Sequence, residues 1–438
     1  MKICHIFIGF ALILLFGVCQ SCSKKSAPFG RQPNIILIMA DDLGYECLGC
    51  DGGTSYATPN LDRMAETGIR FLNCFSQPLC TPSRVQIMTG KYNSRNYTDF
   101  GILHQGEKTF GTLLKKAGYA TAIAGKWQLY GSTGQKELRG TGSLPGETGF
   151  DTFCLWQLDK VGSRYADPVI YQNRLTPDTI LNAYGPDIFW NFIETFLTNH
   201  QKEPFFLYYP MVLPHSPHVP TPATPEWETG RFKHNNLFFK DMVAYMDKNV
   251  GRILQKLEDL DLRSNTLVIF IGDNGTNRAI VSMMGQQEVQ GGKGLTLLTG
   301  THVPLIVNMP EHVKPGQVTD AYVDFTDFLP TLLEIAGIEK PDDFFMDGSS
   351  FAGVLTGAPF QERKWVYSYY DPKWAKFKYA RFVYTPEYKL YDNGRFFNLL
   401  QDQKELTPLE MDALTPGQRE VATTFGKVLE HLKEVPPK

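Results

Sequence analysis

The chain has 438 residues, of which 42% are hydrophobic and 20% are charged, and this composition is that of a globular protein with one large domain, alone or with a smaller one. The formal net charge is only -3, which gives no electrostatic reason to expect a nucleic-acid partner. Any polyanionic ligand would have to meet a local basic pocket, because the surface as a whole is not basic.

The N-terminus has the pattern of an export signal. Lys2 is followed by an apolar run over 6–18, which is short for a membrane span and typical of a signal peptide within residues 1–22. A small residue precedes Cys22 and polar residues follow it, so this site resembles a lipoprotein processing site, with Cys19 as the alternative acceptor. Ordinary secretion with cleavage nearby is the other alternative. We expect an exported protein, periplasmic or anchored to the outer membrane through a lipid on Cys22, and no other contact with a membrane.

The main part of the chain alternates short apolar runs with amphipathic patterns, which predict buried strands and helices respectively. Strands are predicted at 34–40, 205–209, 266–271 and 303–308. Helices are predicted at 58–68, 83–89, 109–117, 186–199, 239–260 and 325–336. This alternation predicts an α/β domain over 30–360, with a mainly parallel central sheet flanked by helices.

The pattern changes after about residue 360. Short aromatic-rich strands are predicted at 365–370, 380–384 and 388–391, with a turn at Asn393-Gly394 and a last helix at 416–434. No linker marks the boundary. We therefore predict a small C-terminal subdomain over 361–438, built on an antiparallel sheet and packed against the main domain.

Five cysteines lie downstream of the export segment, and an odd number in an exported protein indicates that one has a role other than pairing. Cys47 and Cys50 have the spacing of half a zinc site, but no second pair follows at a suitable distance. For these two we expect either buried thiols or one disulfide.

Acidic and amide side chains directly follow two of the predicted strands. Asp41 and Asp42 follow the first strand, and Asp273 and Asn274 follow the strand at 266–271. Ligands gather at the carboxyl ends of the strands in open α/β sheets, and oxygen ligands of this kind suit a hard cation such as calcium or magnesium. An Asp-Asp pair after a strand is, however, also common as a cap or a turn.

The segment Cys80-Thr81-Pro82-Ser83-Arg84 resembles the Cys-x-Pro-Ser-Arg maturation motif of the formylglycine-dependent (type I) sulfatases. The flanking residues 58–63 and 88–92 agree with that family. Further segments look like family landmarks in family order, at 41–45, 125–127, 214–218, 292–294, 303–304 and 347–350. The resemblance implies an alkaline-phosphatase-like fold and a sulfuric ester hydrolase, whose Cys80 a sulfatase-maturing enzyme oxidises to formylglycine (3-oxoalanine).

The resemblance also implies the site residues. Together with the modified residue 80, the implied metal ligands are Asp41, Asp42, Asp273 and Asn274, and the expected ion is Ca²⁺, with Mg²⁺ as the alternative. One hydroxyl of the hydrated aldehyde would attack sulfur, and the second would later expel sulfate.

Four further residues have roles implied by the resemblance. Arg84 would hydrogen-bond the hydrated aldehyde and support the metal ligands. Lys126 and Lys293 would bind the sulfate oxygens, and His215 would contact the ester oxygen and act as the acid for the leaving alcohol.

The chain departs from the family pattern at Gln128, where the family commonly has a histidine thought to help deprotonate the diol. Glutamine forms hydrogen bonds but cannot act as a base, so either another group does this work or sulfate release is slower. A second departure, at 298–302, concerns the loop around Lys293. Candidate substrate contacts are Gln128, His218, Asn277 and Arg278, and ordinary surface positions are the alternative for the last three.

Two other functions stay open from the sequence. A phosphatase, phosphodiesterase or phosphonate monoester hydrolase could use the same fold. A two-zinc phosphatase commonly has a histidine where this chain has Asn274, which argues against that variant. A sugar-binding lipoprotein that is never matured is the second alternative. The expected substrate is a sulfated glycan, with aryl sulfates as surrogates.

Overall fold

The computed structural model describes residues 32–132 and 136–433. The predicted export segment, with Cys19 and Cys22, lies outside these residues. Within the described ranges no helix combines the length and the apolar character needed to cross a bilayer.

The described chain forms an α/β domain followed by a smaller sheet. The strands are β1 Asn34–Ala40, β2 Ile69–Phe75, β3 Ala120–Lys126, β4 Thr152–Trp156, β5 Val169–Gln172, β6 Asp178–Thr179, β7 Phe205–Pro210, β8 Thr266–Gly272, β9 Val281–Met284, β10 Gln287–Gln290, β11 His302–Asn308, β12 Gln317–Asp324, β13 Val366–Tyr370, β14 Ala380–Tyr384, β15 Tyr388–Tyr391 and β16 Phe396–Asn398. The helices are α1 Pro59–Glu66, α2 Cys80–Thr89, α3 Asn93–Asn96, α4 Phe110–Lys116, α5 Gly185–Asn199, α6 Trp227–Gly230, α7 Phe239–Asp259, α8 Leu298–Thr301, α9 Phe328–Ile335, α10 Ala352–Thr356 and α11 Pro416–Lys433.

The central sheet has ten strands in the order β12-β2-β11-β8-β1-β7-β3-β4-β5-β6. Its middle is parallel: β1 pairs with β7 and β8, and β3 pairs with β7 and β4. Every residue of β1 is buried, which explains its unbroken apolar sequence, because both faces of a parallel sheet are covered by helices. Helices α1, α5 and α7 pack on one face and α2, α4 and α9 on the other. The predicted α/β fold with a mainly parallel sheet is confirmed.

The strand predicted at 303–308 is present as β11, but it runs antiparallel to both β8 and β2. The connection from β8 to β11 contains only the β9–β10 hairpin and the short α8, and no helix that runs back along the sheet. The chain therefore re-enters the sheet at the end where β8 left it, and β11 runs in the opposite direction. In the main domain the sequence patterns also missed the short strands β4, β5, β6, β9 and β10, as well as the longer strands β2, β3 and β12. Strand β3 is rich in alanine and glycine, and β2 and β12 carry polar side chains, so none of the three has a continuous apolar run.

The C-terminal sheet is antiparallel, in the order β13-β14-β15-β16. Helix α11 packs on one face through Phe425 and Leu429, and the other face packs against Phe75 of the main domain. This agrees with the predicted small antiparallel sheet, of which the sequence patterns missed β16. The segment between β13 and β14, residues 371–379, returns to the main domain, where Trp374 stacks on Phe100 with ring centroids 4.6 Å apart.

The five cysteines of the described part are all free thiols. The disulfide that the sequence left open for Cys47 and Cys50 is therefore absent. Cys47 is fully buried beside Glu46 and Thr276, with its Sγ 3.4 Å from the Thr276 hydroxyl, so the buried-thiol alternative is correct for Cys47, whereas the free thiol of Cys50 is only partly buried.

Candidate active site

The metal-ligand candidates lie side by side because their two strands are neighbours. Strands β1 and β8 pair in register up to Ala40 and Gly272, so the residues that follow them leave the sheet at the same edge. The Asp273 amide donates to the Ala40 carbonyl at 2.9 Å, and the Asp42 amide donates to Asp273 Oδ1 at 3.0 Å. Asp41, Asp42, Asp273 and Asn274 are all fully buried. We call these four residues together with Cys80 the catalytic edge.

Cys80 is the first residue of α2, so the helix begins three residues before the predicted start at Ser83. The early start places free backbone N–H groups at residue 80, where they favour an anion. The Cys80 thiol is almost completely buried and donates to Gln128 Oε1 at 3.2 Å. Its Sγ and one carboxylate oxygen each of Asp41 and Asp273 all lie within 4.8 Å of one another. Residue 80 therefore faces the carboxylates that the sequence predicts as metal ligands.

Three predicted cations surround these carboxylates. Lys126 Nζ donates to both carboxylate oxygens of Asp41 at 2.9 Å, and Lys293 Nζ donates to Asp42 Oδ2 at 2.6 Å. Arg84 is buried, donates to Asp273 Oδ2 at 3.2 Å and to the Lys126 carbonyl at 3.3 Å, and lies 3.9 Å from Asp41 Oδ1. The structure thus places Arg84, Lys126 and Lys293, three of the residues implied by the resemblance, at the catalytic edge.

The backbone positions Lys126 and Lys293. Gly125 precedes Lys126 with a φ of 115° and faces the Pro210 carbonyl so closely that a Cβ would not fit. The Lys293 amide donates to the Thr276 carbonyl at 3.0 Å, which ties its loop to the segment that carries Asp273. Both ammonium groups are therefore held at the same edge of the sheet.

The residues of the catalytic edge fit a divalent cation. Asn274 Nδ2 donates to Asp42 Oδ1 at 2.9 Å, which fixes the orientation of the amide, and Asn274 Oδ1 is buried with no hydrogen-bond partner among the described residues. A buried acceptor without a partner costs about 1–3 kcal/mol, and coordination of a cation removes that cost. Three carboxylates and an amide oxygen form the ligand set that Ca²⁺ or Mg²⁺ prefers.

Burial and nearby charges shift the pKa values of Asp41 and Asp273 in opposite directions. Burial raises the pKa of Asp41, but Lys126, His215, Arg84 and Arg164 outweigh burial and hold that pKa well below its ordinary value. Burial, with repulsion from Asp41, raises the pKa of Asp273 to about 7. A bound cation would favour the ionised form of Asp273, because metal ligands must be deprotonated.

His215 contacts the site through Lys293. Its Nε2 lies 2.9 Å from Lys293 Nζ and 3.6 Å from Asp42 Oδ2. Burial, together with the positive charge of Lys293, lowers the pKa of His215 to about 3. The imidazole is therefore neutral at physiological pH, and its Nε2 accepts a hydrogen bond from the lysine.

The four predicted substrate contacts occupy different environments. Gln128 lies inside the site, with its side chain on the Cys80 thiol. His218 is buried, its Nδ1 lies 2.9 Å from Asn236 Oδ1, and its Nε2 has no partner among the described residues. Asn277 accepts from the Ala279 amide at 2.9 Å within a turn, and Arg278 is exposed.

Two groups of residues at the site have no sequence signal. Arg164 Nη1 lies 3.5 Å from Asp41 Oδ2, and its guanidinium stacks 3.8 Å above the Trp156 ring. It comes from an irregular loop without a motif. Tyr370, from the C-terminal sheet, packs in a buried cluster with Cys80, and Phe377 packs against that cluster. Only tertiary structure brings these residues, which follow the motif by 80 to almost 300 positions, to the catalytic edge.

Comparisons with known proteins agree with this geometry. The family model described as Sulfatase matches residues 33–338, and the model described as N-sulphoglucosamine sulphohydrolase, C-terminal, matches residues 293–435. N-acetylgalactosamine-6-sulfatase of Mus musculus is 30% identical over 79% of this chain and 70% of its own length. N-acetylgalactosamine-6-O-sulfatase of Bacteroides thetaiotaomicron is 28% identical over 81% of this chain and 82% of its own. A solved structure in complex with its substrate D-glucosamine-2-N,6-O-disulfate shares the fold, with a TM-score of 0.72 and 23% identity over 93% of this chain and 99% of that one.

Proposed function

Because this chain belongs to the sulfatase family and is a sulfuric ester hydrolase, we propose that it removes sulfate from sulfated carbohydrates, with residue 80 in the formylglycine form and one divalent cation beside it. The observation that carries this proposal is the position of Cys80. Its Sγ faces the carboxylates of Asp41 and Asp273 at the start of α2, and the buried Lys126 and the partly buried Lys293 donate to carboxylates of the same catalytic edge.

The names of the relatives support a carbohydrate substrate. Two of them are sulfatases of N-acetylgalactosamine 6-sulfate, and the structural neighbour was solved with a sulfated glucosamine. We therefore propose a sulfated amino sugar within a glycan as the first substrate class to test. Aryl sulfates serve as surrogates because they present the same sulfate ester without the sugar.

The proposed nucleophile requires chemistry that a thiol lacks. A hydrated formylglycine supplies one hydroxyl that attacks sulfur and a second one that allows sulfate to leave. Asp41, Asp42, Asp273 and Asn274 would hold the cation, and we propose Ca²⁺, with Mg²⁺ as the alternative. A bound cation supplies Lewis-acid polarisation and lowers the pKa of the attacking hydroxyl.

The remaining steps fall to side chains of this chain. Lys126 and Lys293, which pair with Asp41 and Asp42, would turn to the sulfate oxygens and stabilise the charge that develops on them. Arg84 is hydrogen-bonded to Asp273 and to the Lys126 backbone, so it orients groups on both sides of residue 80. The sequence assigned the acid for the leaving alcohol to His215. Because the pKa of this imidazole is low and its Nε2 lies 2.9 Å from Lys293 Nζ, we propose instead that Lys293 supplies the proton and that His215 orients its ammonium group.

Gln128 affects the release of sulfate. Its Oε1 accepts a hydrogen bond from residue 80, so it can orient the hydroxyl that drives release. It cannot take up the proton of that hydroxyl, since a carboxamide is not a base at neutral pH. We therefore propose that sulfate release limits turnover in this enzyme.

Maturation and location complete the proposal. A sulfatase-maturing enzyme would oxidise Cys80, and export with a lipid on Cys22 would place the enzyme in the periplasm or on the outer membrane. Both steps rest on the sequence, since the export segment lies outside the described residues.

The test uses the full chain produced with and without a sulfatase-maturing enzyme, and with Cys80→Ala as the inactive control. We expect calcium-dependent release of sulfate from p-nitrophenyl sulfate and from N-acetylgalactosamine 6-sulfate only by the matured wild type. If the protein cleaves a phosphonate monoester and neither sulfate ester, it is a phosphonate monoester hydrolase with the same fold. Equal activity of the Cys80→Ala protein would contradict the role of residue 80.

A further inference from the structure

A cavity of about 600 Å³ lies between the main domain and the C-terminal sheet. It is lined on one side by Arg278 and by the segment after Lys293, and on the other by residues 375–380 and Arg395. We call this cavity the side pocket. Neither the implied metal ligands nor the groups proposed to bind sulfate are among its lining residues.

The side pocket concentrates positive charge. The described residues that line it include four cations and no carboxylate. The cations are Arg278, Lys376, Lys378 and Arg395. All four are exposed, and none forms an ion pair with any residue within 32–132 or 136–433.

Nearby carboxylates do not neutralise these cations. Asp392 accepts from the Tyr379 hydroxyl at 3.0 Å and lies 3.4 Å from Arg381, and Glu405 pairs with buried Lys389 at 2.7 Å. Four like charges in one pocket repel each other, and the net charge of the whole chain is only -3. An anionic ligand in the pocket would remove this repulsion.

The side pocket shares a wall with the catalytic edge. Phe377 packs against the cluster that contains Cys80, and it also lines the pocket, where Arg278 lies 5.6 Å from its ring centroid. The ring lies so close to Gly294, the neighbour of Lys293, that a Cβ there would not fit. Tyr370 likewise packs with Cys80 and lines the pocket, and its hydroxyl donates to the Gly294 carbonyl at 3.1 Å.

We propose that the side pocket binds a second anionic group, a sulfate or a carboxylate, of the same glycan whose sulfate ester is cleaved at residue 80. This inference deepens the proposed function and rests on it. Arginine forms paired hydrogen bonds with either anion, and lysine contributes a point charge. The pocket thereby selects polyanionic glycans over isolated sulfated sugars.

The test compares two charge-neutralised proteins. The first, Lys376→Gln/Lys378→Gln, removes two cations of the pocket, and the matched control, Lys202→Gln/Lys427→Gln, removes two exposed cations that do not line it. Each is assayed with p-nitrophenyl sulfate and with a chondroitin 6-sulfate hexasaccharide. We expect the first protein to lose about tenfold in kcat/KM on the hexasaccharide, mainly through KM, and to stay within about twofold on the aryl sulfate. The control should stay within about twofold on both substrates.

A keratan sulfate hexasaccharide, which has sulfates but no carboxylates, identifies the anion. An equal loss on both hexasaccharides assigns the pocket to sulfate, and a loss confined to chondroitin 6-sulfate assigns it to carboxylate. Equal losses on aryl sulfate and hexasaccharide, or no loss on either hexasaccharide, would overturn the proposal.

Binding separates the side pocket from the reaction. Both charge variants are also made in a Cys80→Ser background, and calorimetry measures their binding of the two hexasaccharides. A wild type without sulfatase activity would refute the proposed function, whereas weaker binding caused only by the Lys376→Gln/Lys378→Gln pair would still support the pocket. If Cys80→Ser binds neither hexasaccharide, or binding is insensitive to the pair, the pocket has no such role.

Discussion

At the catalytic edge the charged side chains are buried and paired with opposite charges, whereas the four cations of the side pocket are exposed and unpaired among the described residues. Asp41 and Asp42 are placed by strand ends, and Lys126 by the end of β3. The cations of the side pocket all come from loops, and three of these four residues lie in the loops that connect the strands of the C-terminal sheet. The comparison indicates that residues at the strand ends determine which reaction is catalysed. The loops that form the side pocket determine which further anionic group the substrate carries.

Removal of the cation should give the largest loss of activity. The cation is proposed to bind at the catalytic edge, so its removal should leave the side pocket unaffected. We expect EGTA to lower kcat/KM on p-nitrophenyl sulfate roughly a thousandfold, since several kcal/mol of transition-state stabilisation are lost. Added Ca²⁺ should restore the activity. Calorimetric binding of the anionic hexasaccharides at the side pocket should persist in EGTA, and its loss would mean that the two regions are not separate.

Substitution of Lys126 should come next in size. Lys126→Met removes the ammonium group that donates to both oxygens of Asp41, and we expect a loss of about 10²–10³-fold in kcat/KM on every sulfate ester. The matched control is Lys389→Met, which breaks a buried ion pair with Glu405 in the C-terminal sheet. This control should lower the free energy of unfolding by about 3 kcal/mol and leave aryl sulfate turnover largely unchanged. Equal activity losses in the two proteins would show that Lys126 only supports the fold.

Replacement of Gln128 by the histidine that is common in the family should increase activity at the catalytic edge. Gln128→His introduces a base next to residue 80, at a position with a φ of 61° that histidine tolerates better than most residues. If sulfate release is rate-limiting, the wild type should show a burst of nitrophenol. In the variant kcat on p-nitrophenyl sulfate should then rise by about tenfold and the burst should shrink. An unchanged burst with unchanged kcat would mean that another step limits turnover.

An increase in salt concentration should have the smallest effect on kcat/KM. Its effect should differ between a substrate that binds the side pocket and one that binds only at the catalytic edge. Exposed charges are screened within about 10 Å at 0.1 M ionic strength, whereas buried pairs are much less sensitive. Between 50 and 500 mM NaCl we expect kcat/KM on the chondroitin 6-sulfate hexasaccharide to fall roughly fivefold more than on p-nitrophenyl sulfate. In the Lys376→Gln/Lys378→Gln protein this difference should become smaller. A salt dependence that is identical for both substrates in the wild type argues against the side pocket.

The sequence was informative where a local pattern carries the structure. Strand β1 has an unbroken apolar run because helices cover both faces of the sheet, and the polar residues after it lie at the carboxyl edge as predicted. The same reasoning located β8, and the pairing of these two strands explains why Asp42 and Asp273 lie together. The helix that carries the motif at 80–84 was predicted at 83–89, and in the structure it begins three residues earlier, at Cys80.

The sequence was uninformative where several distant segments meet. Arg164 reaches Asp41 from an irregular loop, and its stacking on Trp156 is visible only in three dimensions. Tyr370 ends a strand of the C-terminal sheet, which was predicted, and Phe377 lies in the connection at 371–379 that follows it, but no pattern indicated that this connection would return to Cys80. The antiparallel direction of β11 was missed for the same reason, since an apolar run does not specify strand direction.

The formylglycine mechanism is tested most directly by peptide mass spectrometry of residue 80 on protein produced with a sulfatase-maturing enzyme. We predict the mass of an aldehyde in place of the Cys80 thiol, in the same preparation that releases sulfate in the presence of calcium. Cys47, Cys50, Cys74 and Cys154 should keep the masses of free thiols and serve as internal controls. A Cys80 that remains a thiol, while the maturing enzyme converts a control peptide, would contradict the formylglycine mechanism.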